Sequence, residues 1–474
     1  MAVKHLSIVG AGWAGLAAAV SAIEQGWQVE LFEAAAIAGG RARSLGPTPN
    51  ALSKNQAPEP PTEDASHTHD RGSEAMPLDN GQHILIGAYR DTLALMQKVG
   101  VAVEDVLHRM PLDVRFADGS GLVLPDWPTP LNVLAGIARA RGWTLGDKVQ
   151  LLKACAQWQW AGFTCDAQWT VADLCAQSRL PTRVMQTLIE PLCLSALNTP
   201  IRRASATVFL RVLHDALLGG AGSSDLLVPR VDLGALLPEP ALRWLKARGV
   251  KVHMGHRITA DAMKKRHAEC AGNTAHHTLL LACPPWEAAR LAAEINPTWA
   301  QDAAALTHEA IATVYLHCKD PNFQGLARPM MALHSDGETT DTPQQMAMDG
   351  EATAAGPAQF IFDRGALTQQ PGLLACVVSA SVGTRETLAA QVLQQVQQQL
   401  GLTQLSVVQT VVEKRATLAC TPQLYRPACF IAPHLWACGD YVAGPYPSTL
   451  EGAVRSGQEV IAQLGQMPHG QRLL

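Results

Sequence analysis

The segment Ile8-Val9-Gly10-Ala11-Gly12-Trp13-Ala14-Gly15 constrains this chain more than any other stretch. The apolar run His5 to Val9 reads as a strand that meets Gly10, which permits a tight turn. Gly12 lets backbone amides approach a bound group, and Gly15 lets the following helix pack close to the strand. The alanine-rich stretch Trp13 to Gln25 reads as that helix, and Gly26 suits a left-handed cap at its end. A second strand, Gln28 to Phe32, then delivers Glu33, eighteen residues after Gly15. In this order the elements describe a dinucleotide-binding unit. The diphosphate sits at a helix N-terminus, where unpaired N–H groups and the dipole favour negative charge, and the acid accepts from ribose hydroxyls. The eighteen uncharged residues Leu6 to Ile23 resemble a signal peptide in length only, because three glycines and a Trp interrupt them and no cleavage site follows.

A second glycine-rich segment, Gly39-Gly40-Arg41, brings another close backbone approach and a guanidinium to the same diphosphate. The far end of the chain supplies a matching block, Trp436-Ala437-Cys438-Gly439-Asp440, followed by Ser448-Thr449-Leu450-Glu451-Gly452-Ala453. An apolar strand, Leu435 to Ala437, ends in Gly439-Asp440, whose carboxylate can accept from a ribityl hydroxyl. Ser448 to Glu451 has the spacing of a capping box, which predicts a helix starting at Ser448 and makes Glu451 a cap in preference to an acid. The positive end of that helix would face a flavin pyrimidine edge, where a reduced flavin carries negative charge. Blocks at both ends of the chain fit FAD, and the turn Gly444 to Thr449 lacks a cysteine, so the expected attachment is non-covalent.

On these residues the chain resembles the FAD-dependent amine oxidase and phytoene desaturase superfamily over nearly its whole length. Leu78-Asp79-Asn80-Gly81-Gln82-His83, Ala196 to Pro200, Leu226 to Arg230, Lys414 to Thr417 and Pro447 to Gly457 are similar to its squalene-associated branch, the hydroxysqualene dehydroxylases. The resemblance implies FAD contacts at Gly10, Gly12, Gly15, Glu33, Gly40, Arg41, Gly81, His83, Ile258, Gly439, Asp440 and Leu450, with Ile258 acting through its backbone. Ala35 departs from the basic residue that many amine oxidases carry just after the ribose acid. For the branch the implied reaction is reduction of hydroxysqualene to squalene in bacterial hopanoid synthesis, on a long apolar isoprenoid. A carotenoid-type desaturase or isomerase and a flavin amine oxidase are the competing enzymes, and a non-catalytic flavin-binding scaffold is the competitor from another class. An amine oxidase needs an aromatic cage, and only 5% of the chain is aromatic.

With 474 residues and a net charge of −4, the chain can bury a large core and has no basic runs that would suit a nucleic acid. Eleven cysteines without a CxxC pair suit reduced thiols in the cytoplasm and neither a metal site nor a disulfide framework. The expected fold class is α/β: a Rossmann-like FAD-binding domain (1–90, 226–290 and 406–474) interleaved with a mixed α+β substrate domain (91–225 and 291–405). Residues 90–225 read mainly as helices, with a hairpin around Asp118 to Gly121 and five tryptophans, Trp127, Trp143, Trp158, Trp160 and Trp169. Most of these suit helix packing, and the remainder could line a tunnel. Polar composition predicts a disordered insert at 45–77, which holds His67 and His69, and a second polar insert at 335–357. The stretch Pro125 to Ile137 could dip into one leaflet as a substrate access element, giving peripheral contact at the inner face of the membrane.

Replacing an allylic hydroxyl by hydrogen needs an acid for the leaving group, a dry cavity for an allylic cation, and a hydride from reduced flavin. His83 and Asp79 are the candidate catalytic acids, although Asp79 could simply cap the turn at Asn80-Gly81. Arg415 is a candidate orienting group or ion-pair partner, and Tyr441 and Tyr446 are candidate cavity residues. No second glycine-rich nicotinamide fingerprint is present, so the expected electron donor is external, NAD(P)H or a redox protein.

Overall fold

A computed structural model describes residues 4–45, 77–272, 277–335 and 356–466. The expected inserts, with His67 and His69, lie almost entirely outside the described residues.

Six strands form the first sheet, in the order Phe430–Ala432, Leu435–Ala437, His277–Leu281, His5–Val9, Gln28–Phe32, Lys251–His253. All pairings are parallel except the edge hairpin of the first two. Parallel sheets are covered on both faces, which explains apolar runs in place of alternation: Leu279, Leu280 and Leu281 are all buried. Helix Trp13–Glu24 packs on one face against the C-terminal helix Leu450–Gln466. The two backbones approach closely at Gly457, where a β-carbon would lie 2.3 Å from the Ala14 carbonyl oxygen. This contact brings the two end blocks of the sequence together.

The second sheet is antiparallel, in the order Met330–Ala332, Phe360–Asp363, Leu373–Ser379, His308–Cys318, Leu405–Leu418. Its strands alternate. Ala312, Val314 and Leu316 face helix Arg385–Leu400, packing with Leu388, Val392 and Val396. Ile311, Thr313 and Tyr315 face the other way. The last strand differs from the expected domain division, which returned to the nucleotide-binding domain at residue 406. Leu405–Leu418 instead runs along His308–Cys318 for most of its length.

Residues 131–218 are mainly helical, with Leu131–Arg139, Leu145–Trp160, Val171–Gln177, Glu190–Leu197 and Ala206–Leu218 around one core. Capping boxes start two of these helices, Thr144 with Asp147 and Thr170 with Asp173. Trp143 and Trp158 are buried and donate to Thr187 and Ser178, whereas Trp127 and Trp160 are 47% and 93% exposed.

Candidate active site

The C-terminal ends of the parallel strands open into a cavity of about 630 Å³ that reaches the second sheet. This is the crevice in which open α/β sheets bind ligands. Gly10 turns the chain with φ +117°, and a β-carbon there would lie 2.5 Å from the Ala282 carbonyl oxygen. Gly12 caps the first helix without a side chain, so the helix N-terminus is bare. The Gly39 amide donates to the Ala11 carbonyl at 2.9 Å, and Gly12 pairs with Gly39 in a parallel bridge. A β-carbon on Gly40 would come within 3.4 Å of the Gly12 Cα. The two glycine segments are therefore in backbone contact and present one surface free of side chains at a helix N-terminus, which fits the diphosphate of FAD.

Glu33 lines the cavity beside this surface and accepts from the amides of Ala11 (2.7 Å) and Ala35 (2.8 Å). Ile258 is buried at the same end, with its carbonyl accepting from Arg290 at 2.9 Å. Arg41 reaches from the second glycine segment to Asp440, where the two groups form an ion pair at 2.5 Å, and it also donates to the Ala416 carbonyl at 2.8 Å. Gly439 is fixed by its amide donating to Ser456 Oγ. Thus Gly10, Gly12, Glu33, Gly40, Arg41, Gly81, His83, Ile258, Gly439, Asp440 and Leu450 converge, with Gly15 one helical turn behind.

The C-terminal block differs locally from the predicted capping box. The helix starts at Leu450, and Thr449 Oγ1 accepts from the Gly452 amide at 2.9 Å. Ser448 sits at φ +56° with its hydroxyl accepting from the Leu418 amide. Glu451 is a cap, but for another helix: its carboxylate accepts from the amides of Asp91 (3.1 Å) and Thr92 (3.0 Å) and from the Thr92 hydroxyl (2.7 Å), at the start of Arg90–Lys98. Burial pushes its pKa above the usual carboxylate range.

The segment 79–83 lies across the second sheet. The Tyr315 hydroxyl donates to the Asp79 carbonyl (3.1 Å), and the Gln82 amide donates to Thr313 Oγ1 (3.3 Å). Asp79 itself is 2% exposed and points away from the cavity. Its carboxylate accepts from the Leu233 amide at 2.8 Å and lies 3.5 Å from the buried Arg364 guanidinium. Burial outweighs these partners and pushes its pKa up to about 7. His83 lines the cavity, with Nδ1 3.0 Å from the Gly81 carbonyl. A carbonyl can only accept, so Nδ1 carries the hydrogen and Nε2 presents a lone pair. Burial, aided by the Arg41 charge, holds the His83 pKa below the usual histidine value, so the ring is neutral at pH 7.

Beyond the flavin-binding elements, the cavity floor is one face of the antiparallel sheet: Phe360, Phe362, Val377, Ser379, Ile311 and Glu413. Leu194 and Ala196 add an apolar wall. Asn198, at φ +45° after helix Glu190–Leu197, accepts from the Ala380 amide (2.7 Å) and donates to Thr417 (2.9 Å), tying the helical region to this sheet. Tyr441 lines the cavity, and its buried hydroxyl has no partner among the described residues. Tyr446 instead donates to Asp215. The Arg415 guanidinium stacks over Trp286, 4.5 Å from the ring centroid, and the five tryptophans of the helical region do not line the cavity. Sequence reasoning missed Glu413, Asn198 and Ser379. Asn198 and its contact Thr417 stood in quoted segments, but only strand register brings Glu413 and Ser379 opposite Ile311.

The flavin containing amine oxidoreductase family profile matches residues 13–464. A hydroxysqualene dehydroxylase of Zymomonas mobilis subsp. mobilis is 25% identical over 482 residues, covering 97% of this chain and 98% of that protein. Its counterpart in Rhodopseudomonas palustris is also 25% identical, covering 96% of each. Among solved structures, cyclohexylamine oxidase from Brevibacterium oxydans IH-35A superposes with a TM-score of 0.60 at 14% identity, over 98% of this chain and 99% of that one, a likeness of fold.

Proposed function

We propose that this chain, which belongs to the flavin containing amine oxidoreductase family and is an FAD-dependent oxidoreductase, replaces the allylic hydroxyl of hydroxysqualene by hydrogen to give squalene, as a step of hopanoid synthesis. The observation that carries this reading is the sheet face Phe360, Phe362, Val377 and Ile311 continuing the flavin cavity, an apolar floor suited to an isoprenoid chain. The full-length similarity to two hydroxysqualene dehydroxylases supports it.

The chain's own residues divide the work. The side-chain-free surface at Gly12 and Gly40 takes the diphosphate, Glu33 and Ile258 the adenosine end, and Arg41, Gly81, Asp440 and Leu450 the flavin end. Reduced FAD supplies the hydride, and the attachment is non-covalent. The apolar floor excludes water, so an allylic cation survives long enough to accept that hydride. His83, neutral and anchored on Gly81, offers an acceptor to the flavin end. Asp79 and Arg364 hold the 79–83 segment from below. The electrons come from an external donor, NAD(P)H or a redox protein.

An isoprenoid substrate arrives from a bilayer, and the surface of the helical region suits one. Trp127, Leu131, Leu134, Leu145 and Val149 are exposed beside Arg139, Arg141, Lys148 and Arg183, with the carboxylates Asp118, Asp126 and Asp147 nearby, the last 3.8 Å from Arg183. Arg139 stacks 4.8 Å from the Trp127 ring centroid, Lys148 donates to the Ala138 carbonyl and Arg183 to the Gly142 carbonyl, so these groups form one patch. Apolar side chains rimmed by cations match an anionic leaflet, as at the cytoplasmic face. No helix among the described residues is long and apolar enough to cross a membrane. Anaerobic turnover of reduced enzyme with hydroxysqualene tests the proposal, with formation of squalene as the supporting result.

A further inference from the structure

Four carboxylates line the cavity among the described residues: Glu33, Glu287, Glu413 and Asp440. Glu33 is held by two backbone amides at the dinucleotide end, Glu287 pairs there with Arg257 and Arg290, and Asp440 pairs with Arg41. Glu413 alone stands on the apolar floor. Strand register sets it opposite Ile311, which on its other side pairs with Ser379, so one rung of the sheet presents hydroxyl, aliphatic and carboxyl groups side by side. Its partners are modest: the Asn80 side chain at 3.2 Å and the Arg415 amide at 3.3 Å. The Asn80 contact places Glu413 against the segment that carries Gly81 and His83. The neighbouring cation, Arg415, is turned onto Trp286.

Together these contacts place a carboxyl group in an apolar chamber, next to the flavin-side segment, with no cation committed to it. The geometry points to Glu413 as the residue that recognises and protonates the carbinol oxygen of the substrate. This rests on the dehydroxylase reading above. The Glu413 carboxyl gives its proton to the hydroxyl, and the allylic C–O bond breaks with its electron pair leaving on oxygen as water. The cation accepts a hydride from the reduced cofactor to give squalene, and the Glu413 carboxylate recovers a proton from solvent. One hydroxysqualene, one hydride and one proton become one squalene and one water. His83 does not compete for this role, because its one ring hydrogen is committed to the Gly81 carbonyl.

Two measurements independent of hydride transfer test the assignment. In apoprotein, Glu413→Ala should weaken hydroxysqualene binding about tenfold, the range for a lost hydrogen bond, and leave squalene binding unchanged. In enzyme carrying oxidised FAD, where no hydride is available, reversible ionisation should wash ¹⁸O-labelled hydroxyl out of hydroxysqualene into water. Glu413→Gln, which keeps the shape and loses the acid, should slow this at least 10²-fold while FAD affinity stays at the wild-type value. Exchange at the wild-type rate in Glu413→Gln, or equal loss of both ligands in Glu413→Ala, overturns the role. Wild-type protein that neither exchanges label nor distinguishes the two ligands overturns the dehydroxylase reading itself.

Discussion

Gly12 and Gly40, twenty-eight residues apart, pack backbone against backbone: a β-carbon on Gly40 would stand 3.4 Å from the Gly12 Cα, and one on Gly12 would stand 3.9 Å from the Gly40 Cα. Gly12 has φ −75°, which any residue adopts. The fold therefore has room for a methyl group at this position, and that methyl would stand on the surface offered to the diphosphate. Gly12→Ala should leave the circular dichroism spectrum and folding unchanged and weaken FAD binding at least 10²-fold, measured by flavin fluorescence titration. Wild-type affinity in the folded variant would remove this surface from the cofactor site.

Asp79 makes stability depend on pH. Its folded pKa is about 7, raised by burial, against an unfolded value near 3.9. Between these values the folded chain holds a proton that the unfolded chain releases, so this residue costs stability progressively as pH rises from about 4 to about 7, and the full cost remains above that. Asp79→Asn removes the slope but also leaves Arg364 without its carboxylate. Urea unfolding from pH 5 to 8 should show the variant's deficit shrinking with rising pH, by on the order of a few kcal/mol. A deficit that stays constant from pH 5 to 8 would mean that Asp79 is an ordinary, fully ionised partner of Arg364.

His83→Ala should reduce flavin occupancy, since the ring braces Gly81, but on fully loaded protein the single-turnover rate should stay within about tenfold of wild type. A general acid is worth about 10² to 10⁴-fold. Because burial holds the imidazole neutral, a role as acid would require the wild-type rate to fall as pH rises through a value below the usual histidine range. Loss of that limb in His83→Ala, with a drop of about 10² or more, would return the proton to His83.

The exposed patch on the helical region gives a fourth expectation. Wild-type protein should cosediment with vesicles rich in phosphatidylglycerol and bind more weakly to neutral vesicles, at about 1 kcal/mol for each basic residue near the surface. Leu131→Asp with Leu134→Asp, both on exposed side chains, should abolish binding without changing turnover of detergent-dispersed substrate. Unchanged vesicle binding in the double variant would place the contact elsewhere.

The nucleotide half of this architecture was legible in the sequence because glycines act locally. A tight turn at Gly10 and a bare helix start at Gly12 depend on neighbours a few residues away. What was not legible depends on register and tertiary pairing. Glu413 is one polar residue in a long strand, and only its pairing with Ile311 puts it on the cavity floor. Glu451 read as a cap, but its spacing could not show that it serves the helix beginning near Asp91, because helices Arg90–Lys98 and Leu450–Gln466 meet only in three dimensions. The strand Leu405–Leu418 was divided from its sheet for the same reason.

The central claim is that reduced flavin in this cavity delivers hydride to hydroxysqualene. Enzyme reduced chemically under anaerobic conditions, with deuterium at flavin N5 and solvent exchange controlled, should be reoxidised by hydroxysqualene in a single turnover. One squalene should form per flavin, with the label at the former carbinol carbon. Reoxidation without squalene, or no reaction with hydroxysqualene while phytoene or an amine rapidly reduces the oxidised enzyme, would contradict the account.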